Sequence, residues 1–562
     1  MTGLLDHRDD APLRFDTHAV TNQPPPLDGY DPLACDPGLV DALARELVPD
    51  GAERLGEVAD VVGSAEGREH ARLANAYEPV LRTHDRYGVR VDEVEFHPSW
   101  HWLMDVSVRA GNTGGAWTAA AEDSAHVLRA ASFYLMSQLE QGHCCPITMS
   151  YAAVPALRND PELAARYEPG LRSTTYDPGT AEPSTKAGLL AGMSMTEKQG
   201  GSDVRSGTTV ATPSASYAAD GTYTLLGHKW FTSAPMNDLF LTLAQAPGGL
   251  TCFVLPRVLP DGSRNPIRIQ RLKDKLGNRS NASAEIEYQN AIGWRLGAEG
   301  RGVRTIIEMV TVTRLDCVLG SAAIMRAAVT EATHHAAHRS AFGTRLADAP
   351  LMRTVLVELA AESEAATRLG LRLAGAVDRR ATPSEAAFLR LALPISKYLV
   401  CKRTAAVVAE AQECLGGNGY IEESGLPRLY REAPLNSIWE GSGNVTALDV
   451  LRAVTREPDT VEALLDEVDA ALGAHPAMDR AARALRSELT GALRAPDERR
   501  ARRIAELAGI CLQGSLLIRH APIAVAEVFF AGRVDGLWRT SGTGMPSEPA
   551  CAEVLERVTP QL

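Results

Sequence analysis

One stretch brings together residue types able to do chemistry: Asn436-Ser437-Ile438-Trp439-Glu440-Gly441-Ser442-Gly443-Asn444. A carboxylate stands there between an indole and a turn of small residues. Desolvation beside Trp439 raises a carboxyl pKa, which suits Glu440 to general-base work near neutral pH. The glycines let backbone approach a bound group closely, and an apolar helical pattern (Val445, Leu448, Val450, Leu451) follows directly. Ser442 and Asn444 are placed to cap that helix and to leave N–H groups for an anion such as a cofactor phosphate. A Trp-Glu-Gly turn is also ordinary loop chemistry, so the assignment depends on what else the chain carries.

Four further segments precede it in order: Met193-Ser194-Met195-Thr196-Glu197-Lys198-Gln199-Gly200-Gly201-Ser202-Asp203-Val204, Gly227-His228-Lys229-Trp230-Phe231-Thr232-Ser233, Arg339-Ser340-Ala341-Phe342-Gly343 and Leu415-Gly416-Gly417-Asn418-Gly419-Tyr420. Spread over roughly 250 residues, the five segments together resemble the acyl-CoA dehydrogenase family. That resemblance implies an FAD enzyme that desaturates an acyl-CoA thioester, with Glu440 taking the α proton and the flavin accepting hydride from the β carbon. It places Met193, Thr196, Gly201, Ser202, Trp230, Phe231, Thr232 and Ser233 along the isoalloxazine and ribityl portion. Ile438, Trp439, Gly441, Ser442, Gly443 and Asn444 touch the flavin from the base loop. Arg339, Phe342, Gly416 and Gly417 hold the adenine end across a subunit interface, which implies a homotetramer or a dimer. Some members carry the base on an earlier helix just before an arginine. Here that position, ahead of Arg314, is Thr313, so the base is assigned to Glu440 and Arg314 becomes a candidate substrate contact.

Three features depart from the family pattern: Lys198-Gln199 replaces Pro-Gly, Glu413 stands where a glutamine often binds near the adenine, and the chain continues past the usual end. The runs Thr17 to Pro24, Phe96 to His101 and Leu272-Lys273-Asp274-Lys275-Leu276-Gly277-Asn278-Arg279-Ser280-Asn281-Ala282-Ser283 resemble one bacterial branch of the family. That branch is associated with double-stranded DNA and defence against alkylation. Two functions are therefore carried forward: acyl-CoA dehydrogenation, or a DNA-binding flavoprotein with vestigial dehydrogenase activity.

Composition bounds both. With 562 residues, 45% hydrophobic and 23% charged, the chain is of the globular class and long enough for three or four domains. A net charge of −13 restricts any DNA contact to a local patch. Nine cysteines without a C-x-x-C pair indicate neither a disulfide framework nor a zinc site, which fits a reducing cytoplasm. Met1 to Arg14 has no apolar run of the secretory type, and Arg519, His520 and Glu527 interrupt the longest apolar stretch, so no membrane span is expected. The absence of a strand leading into Gly-x-Gly-x-x-Gly argues against a Rossmann nicotinamide site.

Texture along the chain divides it into four parts, mainly α with a β middle domain and a helical C-terminal extension. Residues 1–186 read as a helical domain behind an extended arm of about 40 residues, with Trp100, Leu103, Met104 and Val108, and Val127, Ala130, Phe133 and Leu139, at helix spacing. Cys144-Cys145 beside His143 reads as buried core. Residues 187–294 alternate short apolar runs (Thr222 to Leu226, Leu239 to Leu243, Thr251 to Leu255) with turns such as Asp220-Gly221, the pattern of a small antiparallel barrel or sandwich. Residues 295–455 return to helices, at Ala322 to His338, Leu351 to Val377 and Glu385 to Leu415, as in a bundle. His334 and His338 are four apart there, and with no acidic third ligand they read as a solvated face. Residues 456–562 are helical in pattern, and Arg480 to Arg503 packs eight arginines against three acids. Arg499, Arg500, Arg502 and Arg503 are the candidate DNA contacts, although acids such as Asp497, Glu498 and Glu506 stand at helical spacing from them.

Overall fold

The computed structural model describes residues 17–560 apart from 49, 119–123, 216–220 and 536–545. The Met1 to Arg14 leader and Asp220 of the expected turn lie outside the described residues. Among the described residues the first helix is α1 (Pro37–Arg45), followed by α2 (Gly51–Arg54), α3 (Gly56–Gly63) and α4 (Ala65–Ala76). An antiparallel hairpin then intervenes, β1 (Val80–His84) with β2 (Arg90–Glu95), within a part read as mostly helical. Its Asp85 to Val89 turn is closed by the Asp85 carboxylate, which accepts from the N–H groups of Tyr87 and Val89. Helices α5 (Pro98–Arg109), α6 (Ala125–Leu139), α7 (Cys144–Leu157) and α8 (Pro161–Leu171) complete this part. Cys144, Cys145 and His143 are buried as core.

Seven strands follow: β3 (Ala191–Ser194), β4 (Val210–Pro213), β5 (Thr222–Ser233), β6 (Leu239–Ala246), β7 (Gly249–Pro256), β8 (Ile267–Leu272) and β9 (Ser283–Leu296). Pairings β6–β4, β4–β5, β5–β9, β9–β7 and β7–β6 close a ring, and β3 and β8 add to β6 and β9. The barrel is mixed, not antiparallel, because β3 and β4 both run parallel to β6. Alternate residues such as Tyr223, Leu225, Phe253, Leu255, Ile286 and Tyr288 fill its interior. On β5 the register against β9 slips between Lys229 and Thr232, so Trp230 and Phe231 sit on an irregularity of the strand. Such an extra residue re-aims side chains that regular pleating would bury.

The bundle consists of α9 (Gly302–His338), α10 (Pro350–Asp378), α11 (Pro383–Cys414), α12 (Leu426–Glu432) and α13 (Gly443–Arg456). A two-strand hairpin, β10 (Ser340–Ala341) with β11 (Thr344–Arg345), joins α9 to α10. Beyond them lie α14 (Pro458–Asp469), α15 (Pro476–Arg494), α16 (Ala501–His520), α17 (Ile523–Phe530) and α18 (Glu548–Val558). Proline opens α5, α8, α10, α11, α14 and α15, where its missing N–H has no helical partner to lose. One continuous core joins the N-terminal helices (Val58, Val127), the bundle (Ala323, Leu359, Leu391, Ala453) and the tail (Leu464, Ile504, Leu512). The tail is thus part of the same packed body.

His334 is buried and its Nε2 lies 2.9 Å from the carbonyl of Pro25, which corrects the reading of a solvated histidine face; His338 alone is exposed. The extended arm lies along α9, and the imidazole satisfies one of its backbone groups. Among the described residues no group of three or more His, Cys, Asp or Glu side chains is placed to hold a metal ion, and no helix is long and apolar enough to cross a membrane.

Candidate active site

Glu440 adopts φ +56° and Gly441 φ +99°, so the turn reverses where a side chain on residue 441 would be strained. The reversal directs three successive carbonyls at cations. Lys397 donates to the carbonyl of Trp439 at 2.7 Å and to that of Gly441, while Arg314 Nε donates to the carbonyl of Glu440 at 3.0 Å. Thr313 Oγ1 donates to the Glu440 carboxylate at 2.7 Å. The indole of Trp439 donates to Asn436 Oδ1 at 2.8 Å and, like Met193, packs on the cluster that contains Cys145 and Met149. Burial raises the Glu440 carboxyl above its ordinary range, and Thr313, Lys397 and Arg314 act against that rise. The expected half-buried carboxylate beside an indole is therefore present.

Ser442 occupies the N-cap position of α13, but its side chain makes no capping hydrogen bond, and neither does that of Asn444. Asn444 Oδ1 instead accepts from Arg502 Nε at 2.8 Å, across from the tail helix α16. The expectation of side-chain capping fails because Arg502 draws Asn444 outward. The hydroxyl of Ser442 and those of Thr196 and Ser202 make no hydrogen bond among the described residues.

The other motif residues gather at one end of the barrel. Trp230 N–H donates to the carbonyl of Thr196 at 2.7 Å, which ties the irregular part of β5 to the segment after β3. Ser194 and Thr232 share a hydroxyl contact of 2.6 Å, and Ser233 lies 3.3 Å from Ser283. A Cβ on Gly201 would stand 2.4 Å from Thr196 Oγ1, so only glycine allows this close turn. Beneath it Glu197 is buried and accepts from Thr208 N–H (2.7 Å), Thr209 N–H (3.1 Å), Thr209 Oγ1 (2.7 Å) and Lys229 Nζ (2.9 Å). Phe231 is half-exposed, and Lys273 Nζ lies 3.2 Å from the centroid of Trp230.

Arg339 and Phe342 are placed elsewhere. Arg339 donates to the carbonyl of Asn22, whose side chain also bonds both backbone groups of Ser340, at 2.7 and 2.8 Å. Phe342 sits at the tip of the β10–β11 hairpin with φ +53° and is fully exposed. A bulky residue in the left-handed region, thrust into solvent, is uncommon and is strained without a role. Gly416 and Gly417 are open as well: a Cβ on either would meet nothing within 4 Å.

Arg314 also donates to Asp449 at 2.8 Å. Its guanidinium is thus committed to the base loop and to Asp449, and it acts on Glu440 through the backbone. It borders a cleft of about 800 Å³ between the barrel end and helices α9, α11 and α13. Leu250, Val303, Ile307, Leu389, Leu393 and Pro394 supply its apolar wall. Arg205, Arg301, Arg304 and Arg452 line it without a carboxylate partner among the described residues. None of these four was singled out from sequence. Lys397 was missed too, since an isolated lysine in a helical run carries no signal.

The arginine cluster of the tail is largely neutralised. Arg499 pairs with Asp497 at 2.9 Å, and Arg500 and Arg503 both pair with Glu488 at 2.8 Å. Arg480 and Arg486 are paired with Asp535 and Asp469. Arg502, on the tail helix α16, donates to Asn444 and so joins the tail to the base loop.

A helical layer, a closed barrel carrying a bulged strand, and a helical bundle presenting a carboxylate beside them define an acyl-CoA dehydrogenase fold. Residues 300–455 match the model of the acyl-CoA dehydrogenase C-terminal domain and residues 192–291 that of its middle domain; residues 22–178 match the adaptive response protein AidB N-terminal domain. The chain belongs to the acyl-CoA dehydrogenase family. Within it, the chain is 45% identical over 548 residues to AidB of Escherichia coli (strain K12), covering 97% of this chain and 99% of that one. The crystal structure of Caenorhabditis elegans ACDH-11 in complex with C11-CoA is similar at a TM-score of 0.82 and 27% identity, covering 97% of each chain. A Bacillus anthracis acyl-CoA dehydrogenase complexed with FAD shares the fold at a TM-score of 0.61 and 18% identity, over 94% of this chain and 86% of that one.

Proposed function

We propose that this protein is an FAD-dependent dehydrogenase of acyl-CoA thioesters in which Glu440 is the base. The observation that carries the reading is a carboxylate raised by burial, on a loop held by two cations, beside an arginine-lined cleft. The residues present fit FAD: Thr196, Ser202 and Ser442 offer hydroxyls unused by the chain, Gly201 keeps the turn close, and Trp230 is set on the bulge of β5. Met193, Phe231, Thr232, Ser233, Ile438, Trp439, Gly441, Gly443 and Asn444 complete that cradle. FAD supplies the acceptor for the hydride lost from the β carbon. Glu440 takes the α proton. Its own N–H donates to no acceptor among the described residues, which leaves it for the thioester carbonyl oxygen as enolate charge develops.

A CoA thioester is an amphipathic polyanion, and the cleft has an apolar wall and four unpaired arginines to match. Arg301→Ala and Arg304→Ala are expected to raise KM for an acyl-CoA about tenfold with kcat within about twofold, because they touch the nucleotide end and not the reacting carbons. Steady-state kinetics measures the split, and a fall in kcat alone contradicts the placement. Arg339, Phe342, Gly416 and Gly417, open to solvent here, suit an adenine end contributed across a homotetramer interface. Arg502→Ala is expected to weaken FAD retention two- to fivefold on dialysis while Arg499→Ala does not, since only Arg502 holds Asn444. The DNA-binding alternative has less support: Arg499, Arg500 and Arg503 are engaged with acids and Arg502 with the base loop. Anaerobic titration with a panel of acyl-CoA esters, followed by flavin absorbance, tests the reading; protein that holds FAD but is bleached by none of them overturns it.

A further inference from the structure

Lys397 is 1% exposed on α11, yet no carboxylate lies within ion-pairing distance of it among the described residues. A buried ammonium in that state is unfavourable unless other groups meet its charge. Here the carbonyls of Trp439 and Gly441 do so, and they flank Glu440. Arg314 holds the carbonyl between them, but its charge is shared with Asp449 at 2.8 Å. Lys397 is therefore the undivided cation of the loop.

We propose that Lys397 is the positioning residue of the base: it locks the left-handed turn that presents Glu440 and sets an undivided positive charge beside its carboxylate. This rests on Glu440 being the base. The groups facing Glu440 are Thr313, Arg314 and Cys317 from α9, Cys145 from α7, and Lys397 from α11, with Cys401 one turn further on. Both Cys317 and Cys145 are held protonated by burial, so neither adds a negative charge beside Glu440. Burial favours the neutral acid of Glu440, and Lys397 opposes it. Loss of the ammonium raises the proton affinity of the base further, so the carboxylate forms only at higher pH.

The test follows α-proton abstraction alone, as deuterium uptake from D2O into butyryl-CoA by mass spectrometry, on FAD-loaded protein between pH 5.5 and 9. Lys397→Gln keeps a hydrogen-bond donor and removes the charge. It is expected to move the rising limb of the profile up by about one pH unit and lower the rate at neutral pH about tenfold. Lys397→Arg restores the profile, and Lys397→Met falls below Lys397→Gln because it also frees the carbonyls. A Lys397→Gln profile and rate like wild type overturn the inference, as does a uniform loss without a pH shift that Lys397→Arg fails to rescue. Glu440→Gln, run in parallel, separates the two readings: if it exchanges like wild type the base is elsewhere, whereas if only it is silent Lys397 has no part.

Discussion

Glu440→Gln protein is expected to bind FAD and to lose acyl-CoA-driven bleaching by about 10³-fold, the scale of a removed general base. The amide has nearly the shape of the carboxyl and still accepts from Thr313, so the loop held by Lys397 and Arg314 keeps its course. What disappears is the proton acceptor. In the wild type the same step rises with pH through the folded pKa of Glu440, since only the carboxylate is active. Stability runs the other way. A carboxyl whose folded pKa is raised contributes fully below its unfolded value, about 4.3, and loses that contribution as pH rises through the folded pKa. At neutral pH Glu440→Gln is therefore expected to melt at or above the wild-type temperature. Bleaching at the wild-type rate moves the base to another group, and a lower melting temperature contradicts the burial argument.

Glu197→Ala is expected to do the opposite: destabilise the protein by about 3–5 kcal/mol, because it leaves Lys229 buried without a counterion and the Thr208 and Thr209 donors unmet. Burial draws both ions toward neutrality, yet the hydrogen bonds from Thr208, Thr209 and Lys229 hold the Glu197 carboxyl well below its ordinary range. A depressed folded pKa gives stability that is present above the unfolded value, about 4.3, and lost as pH falls through the folded one. The variant should lack that acid-dependent part. Denaturant unfolding at neutral and acid pH measures both, and a loss under about 1 kcal/mol at neutral pH would refute the buried-pair account. FAD retention should fall with it, since Glu197 adjoins Thr196 and anchors the turn that Gly201 and Ser202 complete.

The two variants differ in what made their residues visible. Glu440 stands out by local chemistry, a carboxylate between an indole and glycines. Glu197 is recognisable only as part of a motif; as a lone acid among Thr, Lys and Gln it would pass for surface, and its donors arrive from the residues just before β4 and from β5. Bundle helices are legible from a local period, although α9 begins twenty residues before the expected Ala322, where Thr313 and Arg314 break the apolar rhythm. The strands β1 and β2 were not singled out within a part read as mostly helical. Their identity is set by pairing with each other and by Val94 packing on the barrel cluster.

By itself the sequence determined the turn at Glu440, the glycines that let it form, the alternation of helical and strand segments, and the order of motifs that assigns the family. These are short-range properties, fixed by side-chain type and spacing. Tertiary structure alone decided which charges meet. Lys397 and Arg314 converge on one loop from two helices, Arg502 crosses from the tail to Asn444, and Glu488 pairs with two arginines that read as part of a basic patch. The partners are 12 to 126 positions apart. Ion pairing depends on distance in space and on desolvation, and neither is written in the spacing of residues along a chain.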